Sequence, residues 1–226
     1  MVSEADTQLF FEAVDALGTR PASFGSLDDL LENFGLTYEK APFHDGFIRA
    51  SVGNLSKESP WSDDYKRFLL QVKPETSTRY LVGALANPAC VDAAKFVLLG
   101  YGASRETVNP LVGALANPTQ RSASLEVLLS YGASRVTVRP LVGALADPER
   151  VDAAKFVLLG YGASRDTVNP LVGALADPDP NRVAAAAEVL VSYGQKAERF
   201  IHPPIPGTRL YEPITMIISR INAKAA

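Results

Sequence analysis

Residues 81–110 read LVGALANPACVDAAKFVLLGYGASRETVNP, and residues 141–170 read LVGALADPERVDAAKFVLLGYGASRDTVNP, the same stretch with four replacements: Asn87 by Asp147, Ala89 by Glu149, Cys90 by Arg150 and Glu106 by Asp166. Between the two copies, residues 111–140 carry a looser version, LVGALANPTQRSASLEVLLSYGASRVTVRP, so the period is 30 residues. A fixed period of this length marks a chain built from one structural unit laid end to end. What that unit is decides the fold.

Each unit holds two helical patterns separated by helix punctuation. In DPERVDAAKFVLLGYG, Asp147 can cap a helix whose first position is Pro148, where a missing N–H does no harm. Val151, Ala154, Leu158 and Tyr161 then recur at intervals of three and four and make one apolar stripe, and Gly162 ends the helix in a backbone conformation that glycine tolerates. In SRDTVNPLVGALADP, Thr167 reads as the next cap, which puts Pro170 in the first turn, and Val168, Leu171, Val172 and Leu175 form a second stripe. The unit is a short helix, a tight turn and another short helix. The few aliphatic side chains of one such pair cannot, by their burial, offset the entropy lost in ordering it. Each pair must therefore cover its neighbours, and the copies are layers of a stack.

The run TVNPLVGALADPDPNRVAAAAEVLVSYG (167–194) has a proline near the start of one helix, ALADPDP between helices and an alanine-rich second helix ending in glycine. In this it resembles the HEAT-like repeat of the phycobilisome-lyase type, and the resemblance covers roughly residues 61–226. It implies an all-α, armadillo-type fold: a right-handed α-α superhelix, or HEAT-like solenoid, of 30-residue helix-turn-helix repeats with an N-terminal cap segment. For activity it implies a range of roles, since proteins similar in this way include scaffolds, adaptors and a minority of enzymes. The chain departs from that family's usual valine-arginine pair, because Val91 and Val151 are followed by Asp92 and Asp152. AAKFVLLGYGAS also suggests an ankyrin repeat, which stays a minor alternative because a 30-residue unit leaves too little chain for the ankyrin hairpin.

On this reading the solenoid spans 61–226: a divergent opening unit at 61–80, repeats at 81–110, 111–140, 141–170 and 171–202, and a capping helix at 207–226, after the break at Pro203, Pro204 and Pro206. Terminal units diverge because one of their faces meets water. Residues 1–60 form an N-terminal helical cap or small accessory domain, with helical patterns at 4–17 and 26–34. Around Asp45-Gly46 the sequence allows either a short hairpin or an irregular loop.

Composition narrows the function classes. With 226 residues, 47% apolar and 21% charged, the chain is of ordinary globular make-up. A net charge of -3 provides no basic field to gather a polyanion. One cysteine excludes an intrachain disulfide framework, no run has the length of a membrane span, and the acidic start MVSEADTQLFFEAV is unlike a secretory leader, so the expected setting is cytoplasmic. His44 and His202 stand far apart without metal-ligating neighbours, and Cys90 occupies a junction where later units carry Gln120 and Arg150. GYGAS, at 100–104 and 160–164, joins two helices with no preceding strand and no phosphate-loop lysine. No catalytic constellation, cofactor motif or metal motif is expected.

What stacking supplies is ladders. Arg105, Arg135 and Arg165 fall in a row near the start of successive second helices, and Asn109, Arg139 and Asn169 run beside it one helical turn on. This stripe is the candidate partner surface, suited to carboxylates or a phosphopeptide. The competing reading pairs the arginines locally with Glu106, Asp166 and neighbouring acids. On the first helices, Phe96, Glu126, Phe156 and Glu188 succeed one another opposite the core stripe, so Phe96 and Phe156 are either apolar spots for self-association or laterally buried. The function expected is a non-catalytic scaffold or adaptor that binds a protein or peptide, acidic in character, on the solenoid groove, with homo-oligomerisation through the phenylalanines as an option. The alternative is a bilin-lyase-like enzyme or enzyme subunit, which needs a tetrapyrrole-sized cleft where an acid and an arginine converge. A nucleic-acid-binding HEAT-like protein is a further one, against which the acidic balance weighs.

Overall fold

The computed structural model describes residues 45–53, 55, 62–202 and 206–225, and every regular element among them is an α-helix. The helical patterns expected at 4–17 and 26–34, and His44, lie outside the described residues. The described chain divides into two compact units, one ending at Gly102 and the other beginning at Ala103.

The first unit contains α1 (Asp45–Gly53), α2 (Ser62–Gln71), α3 (Pro74–Ala84) and α4 (Val91–Tyr101). The hairpin or loop expected around Asp45-Gly46 is therefore corrected to a helix, with Ile48, Ser51 and Val52 buried along it. It packs on α3 while α2 packs on α4, so α1 takes the place of a second helix in an earlier layer. That tertiary role overrides the turn preference of Asp-Gly.

The second unit contains α5 (Arg105–Ala114), α6 (Pro118–Tyr131), α7 (Arg135–Ala144), α8 (Val151–Tyr161), α9 (Arg165–Ala174), α10 (Pro180–Tyr193), the short α11 (Gln195–Glu198) and α12 (Tyr211–Ala225). The first helices α6, α8 and α10 pack in series, with α12 next on α10; the second helices α5, α7 and α9 pack in a series of their own. Within each layer the pair is α5 with α6, α7 with α8, and α9 with α10. The core lies between the two rows: Ala154, Val157 and Leu158 from α8 and Val168 and Leu171 from α9 are fully excluded from solvent.

Two local expectations are corrected. The cap of α9 is Ser164, not Thr167: the Thr167 N–H donates to Ser164 Oγ at 3.3 Å and the Ser164 N–H donates to Thr167 Oγ1 at 2.9 Å, a reciprocal capping box that recurs at Ser104/Thr107 and Ser134/Thr137. Thr167 Oγ1 also donates to the Gly162 carbonyl at 2.8 Å, which ties the cap across the turn. Pro170 consequently sits in the second turn of α9, where the ring leaves the Asp166 carbonyl without its helical donor. The second correction concerns the first helices. Pro118 and Pro180 do open α6 and α10 behind the caps Asn117 and Asp179, but α8 starts only at Val151. There Asp147 closes a preceding turn, accepting from the Glu149 N–H at 2.9 Å and from Arg150 Nε at 2.7 Å. The Arg150 guanidinium and that N–H hold the Asp147 carboxyl below the usual carboxylate range.

Successive layers are joined by a contact the stripes did not reveal. Tyr161 and Tyr193, each the last residue of its first helix, donate from the hydroxyl to the Leu128 carbonyl (2.6 Å) and the Leu158 carbonyl of the layer before. In the first unit Tyr101 does the same to the Leu69 carbonyl, and its hydroxyl meets Ser77 Oγ at 2.7 Å. A second link comes from Arg182, just ahead of Val183, which donates from Nε to the Val142 carbonyl at 3.1 Å while pairing with Asp177 at 2.7 Å. Val91 and Val151, at the corresponding place in their helices, are preceded by Cys90 and Arg150, so the link made by Arg182 is specific to its layer.

Candidate anion-binding cleft

The capping box makes Arg105, Arg135 and Arg165 the first residues of α5, α7 and α9, and all three are exposed. A cation at a helix N-terminus opposes the positive end of the helix dipole, so these arginines do not serve their helices. The next position decides how much of that charge is answered locally. In α5 it is Glu106, whose carboxyl is held below its ordinary range by its own backbone N–H, by the Ser104 hydroxyl and by Arg105. In α9 it is Asp166; in α7 it is Val136, which is apolar and exposed.

Asn109, Arg139 and Asn169 are also exposed, four residues into each helix from the arginine row. Residues four apart share a helix face, so Arg135 and Arg139 present two guanidiniums on one face of α7. The middle layer thus gains an arginine and loses an acid relative to its neighbours. Arg135, Arg139, Arg165, Asp166, Asn169 and Pro170 together line an open cleft of about 340 Å³ between α7 and α9. Arg105 and Asn109, on α5, lie outside its lining. Among the described residues none of Arg135, Arg139 and Arg165 makes an ion pair, in contrast to Lys155 with Asp152 and Glu188, or Arg150 with Asp147. Three arginines against one aspartate give the described lining of the cleft a net charge of +2.

Sequence reasoning placed four of the six lining residues in its two ladders and missed Asp166 and Pro170 as lining groups. The signal for the special status of the middle layer was present in the sequence: within the second unit Val136 stands between Glu106 and Asp166, and Arg139 between Asn109 and Asn169.

The remaining candidates separate. Phe96 on α4 is 56% exposed and Phe156 on α8 is 59% exposed, so neither is laterally buried. Each has an exposed leucine three residues on, Leu99 and Leu159. His202 is exposed in the connection after α11. Cys90 is buried, and its Sγ faces the Gly53 carbonyl at 3.9 Å and the Asn87 amide at 3.5 Å, with burial pushing the thiol pKa up. That places it against α1, a neighbour specific to its layer, which accounts for a small apolar residue where the others carry Gln120 and Arg150. No group of metal-ligating side chains and no helix long and apolar enough to cross a membrane occurs among the described residues.

No protein-family model and no curated protein matches the chain.

Proposed function

We propose that the chain is a non-catalytic interaction module, that its second unit is a HEAT-like solenoid of the right-handed α-α type, and that the face of its second helices binds an acidic segment of a partner protein. The observation that carries this reading is the cleft between α7 and α9, where three arginines without ion-pair partners face one aspartate. The helices that carry these guanidiniums are already packed, so binding orders little beyond the arginine side chains and the partner segment. Their planar forks suit carboxylate oxygens, and their charge raises the rate of encounter with an acidic chain.

The test is a titration of the whole protein with a labelled Glu-rich peptide and with its Lys-rich counterpart, followed by fluorescence anisotropy at rising salt. The acidic peptide binds, with an affinity that falls as salt rises, and the basic one does not. Changing Arg135, Arg139 and Arg165 together to Glu abolishes binding without altering the far-ultraviolet circular dichroism. Undiminished binding by that variant sinks the proposal.

A second reading draws on the same geometry, because arginines converging with Asp166 are what a bilin-lyase-like site requires. Mixing the protein with a free bilin separates the two: a shifted bilin absorbance favours the lyase-like reading.

A further inference from the structure

We infer that the cleft between α7 and α9 selects a phosphate monoester dianion, presented as a phosphorylated serine or threonine of the partner segment, over a run of carboxylates; this rests on the acidic-segment reading above. The first reason is how the charge is concentrated. The cleft gathers Arg135, Arg139 and Arg165 around one open volume of about 340 Å³ and leaves Arg105 outside it. A run of carboxylates spreads its charge along a backbone and would find its complement in an evenly spaced row. A phosphate monoester places about two negative charges at one point above its second pKa of about 6. The net +2 of the cleft is the counterpart of that dianion.

The second reason is geometric. Arg135 and Arg139 present their forks from one face of α7, and Arg165 presents its own from the start of α9, the helix packed next to it. Donors converging from two helices can serve several oxygens of a tetrahedral group, whereas a carboxylate offers only two oxygens in one plane. The third reason is in the sequence. Among the three layers of the second unit only the middle one carries an arginine, Arg139, where the others have Asn109 and Asn169, and only there is the acid that follows the first arginine replaced, by Val136; Arg79 holds the same register as Arg139 in the first unit. Both departures raise positive charge at one place in an otherwise regular array. Pro170 adds a rigid apolar wall for the residue beside the phosphorylated one.

The experiment uses the full chain and three labelled peptides of Glu, Gly and Ser that differ at one position: phosphoserine, glutamate or serine. Anisotropy titrations are run at constant ionic strength at about pH 7.5 and about pH 5, on either side of the phosphate's second ionisation. Among the described residues the charged groups facing the cleft are Arg135 and Arg139 from α7 and Arg165 and Asp166 from α9, and no histidine is among its lining. The phosphopeptide binds roughly tenfold more tightly than its glutamate twin at the higher pH, and the advantage shrinks at the lower. Arg139→Asn installs the residue both flanking layers already carry, so the helix accepts it; it removes the advantage with circular dichroism unchanged, and Arg139→Lys restores only part. Inorganic phosphate displaces the phosphopeptide more effectively than chloride at equal ionic strength. Equal affinity of the phosphoserine and glutamate peptides at both pH values overturns phosphate selectivity and leaves the acidic-segment reading standing. Failure of all three peptides to bind overturns both. Binding to vesicles that carry phosphatidic acid, with no peptide binding, overturns the peptide as the source of the phosphate.

Discussion

At the scale of single residues, the two glycines of each Gly-Tyr-Gly do different work. Gly162 has φ 74° and ψ 177°, a region of backbone space essentially reserved for glycine, which turns the chain sharply from α8 into the Ser164 cap. Gly160 lies inside α8, where an added Cβ would fall 2.5 Å from Cδ2 of Leu129, the tip of a half-buried side chain on α6. The sequence announces both as helix-stopping residues, but only the packed layers show that Gly160 is a contact. Leu129 must turn aside for an added methyl, so Gly160→Ala should gain less than the roughly 0.5–1 kcal/mol that alanine brings over glycine inside a helix. Gly173→Ala, where nothing stands within 4 Å of the added carbon, should stabilise it by about 0.5–1 kcal/mol through the unfolded chain. Thermal unfolding of the two variants checks the pair, and an equal rise in both would remove the close-approach account.

At the scale of elements, the tyrosines that end α4, α8 and α10 fasten those helices to the layer before. Tyr161 and Tyr193 have hydroxyl pKa values pushed up to about 12, chiefly by burial, and partly offset by the hydroxyls of Thr137 and Thr167. An unfolded tyrosine ionises near about 10. Between those values the folded chain keeps protons that the unfolded chain gives up. The stability tied to these hydroxyls is thus complete below about pH 10 and disappears as the pH rises through about 12. Unfolding on alkaline titration, followed by circular dichroism together with the tyrosinate absorbance, should fall in that window. Tyr161→Phe should lower stability at neutral pH by about 1–2 kcal/mol, since it leaves the Leu128 carbonyl without this donor. In Tyr161→Phe the tyrosinate step that accompanies loss of the helix signal should shrink by one tyrosine, and an unchanged step would contradict a buried, hydrogen-bonded hydroxyl at that position. The periodicity counted Tyr161 among the apolar stripe, which fits its ring, but the acceptor 33 residues back is visible only when the layers are stacked.

At the scale of the whole molecule, the repeat makes a claim about register. Residues 141–170 can be excised so that Pro140 joins Leu171, which recreates the Pro-Leu junction found at 110–111 and 170–171. Each layer leans chiefly on its neighbours, so the shortened second unit should keep its helical content per residue and unfold cooperatively at a lower temperature. In that protein Tyr193 inherits the Leu128 carbonyl that Tyr161 uses in the full chain. Removing residues 141–155 instead deletes a similar kind of sequence out of phase and should abolish cooperative unfolding. If the two deletions melt alike, stacking in register is not what holds the second unit together.

The 30-residue period, the paired short helices, the core stripes and the arginine row were all readable from the sequence, because each depends on the spacing of neighbours along one chain. Other features depend on which surfaces meet in space. The cap passed to Ser164 because Thr167 could reach both the Ser164 N–H and the Gly162 carbonyl once the turn had closed. Asp45-Gly46 became helical because α1 had α3 to pack on. The cleft arose where α7, with its extra arginine and missing acid, lay against α9. Local spacing specifies which face of a helix is apolar; the neighbour that covers it, and the charges left facing each other, are set only when the layers come together.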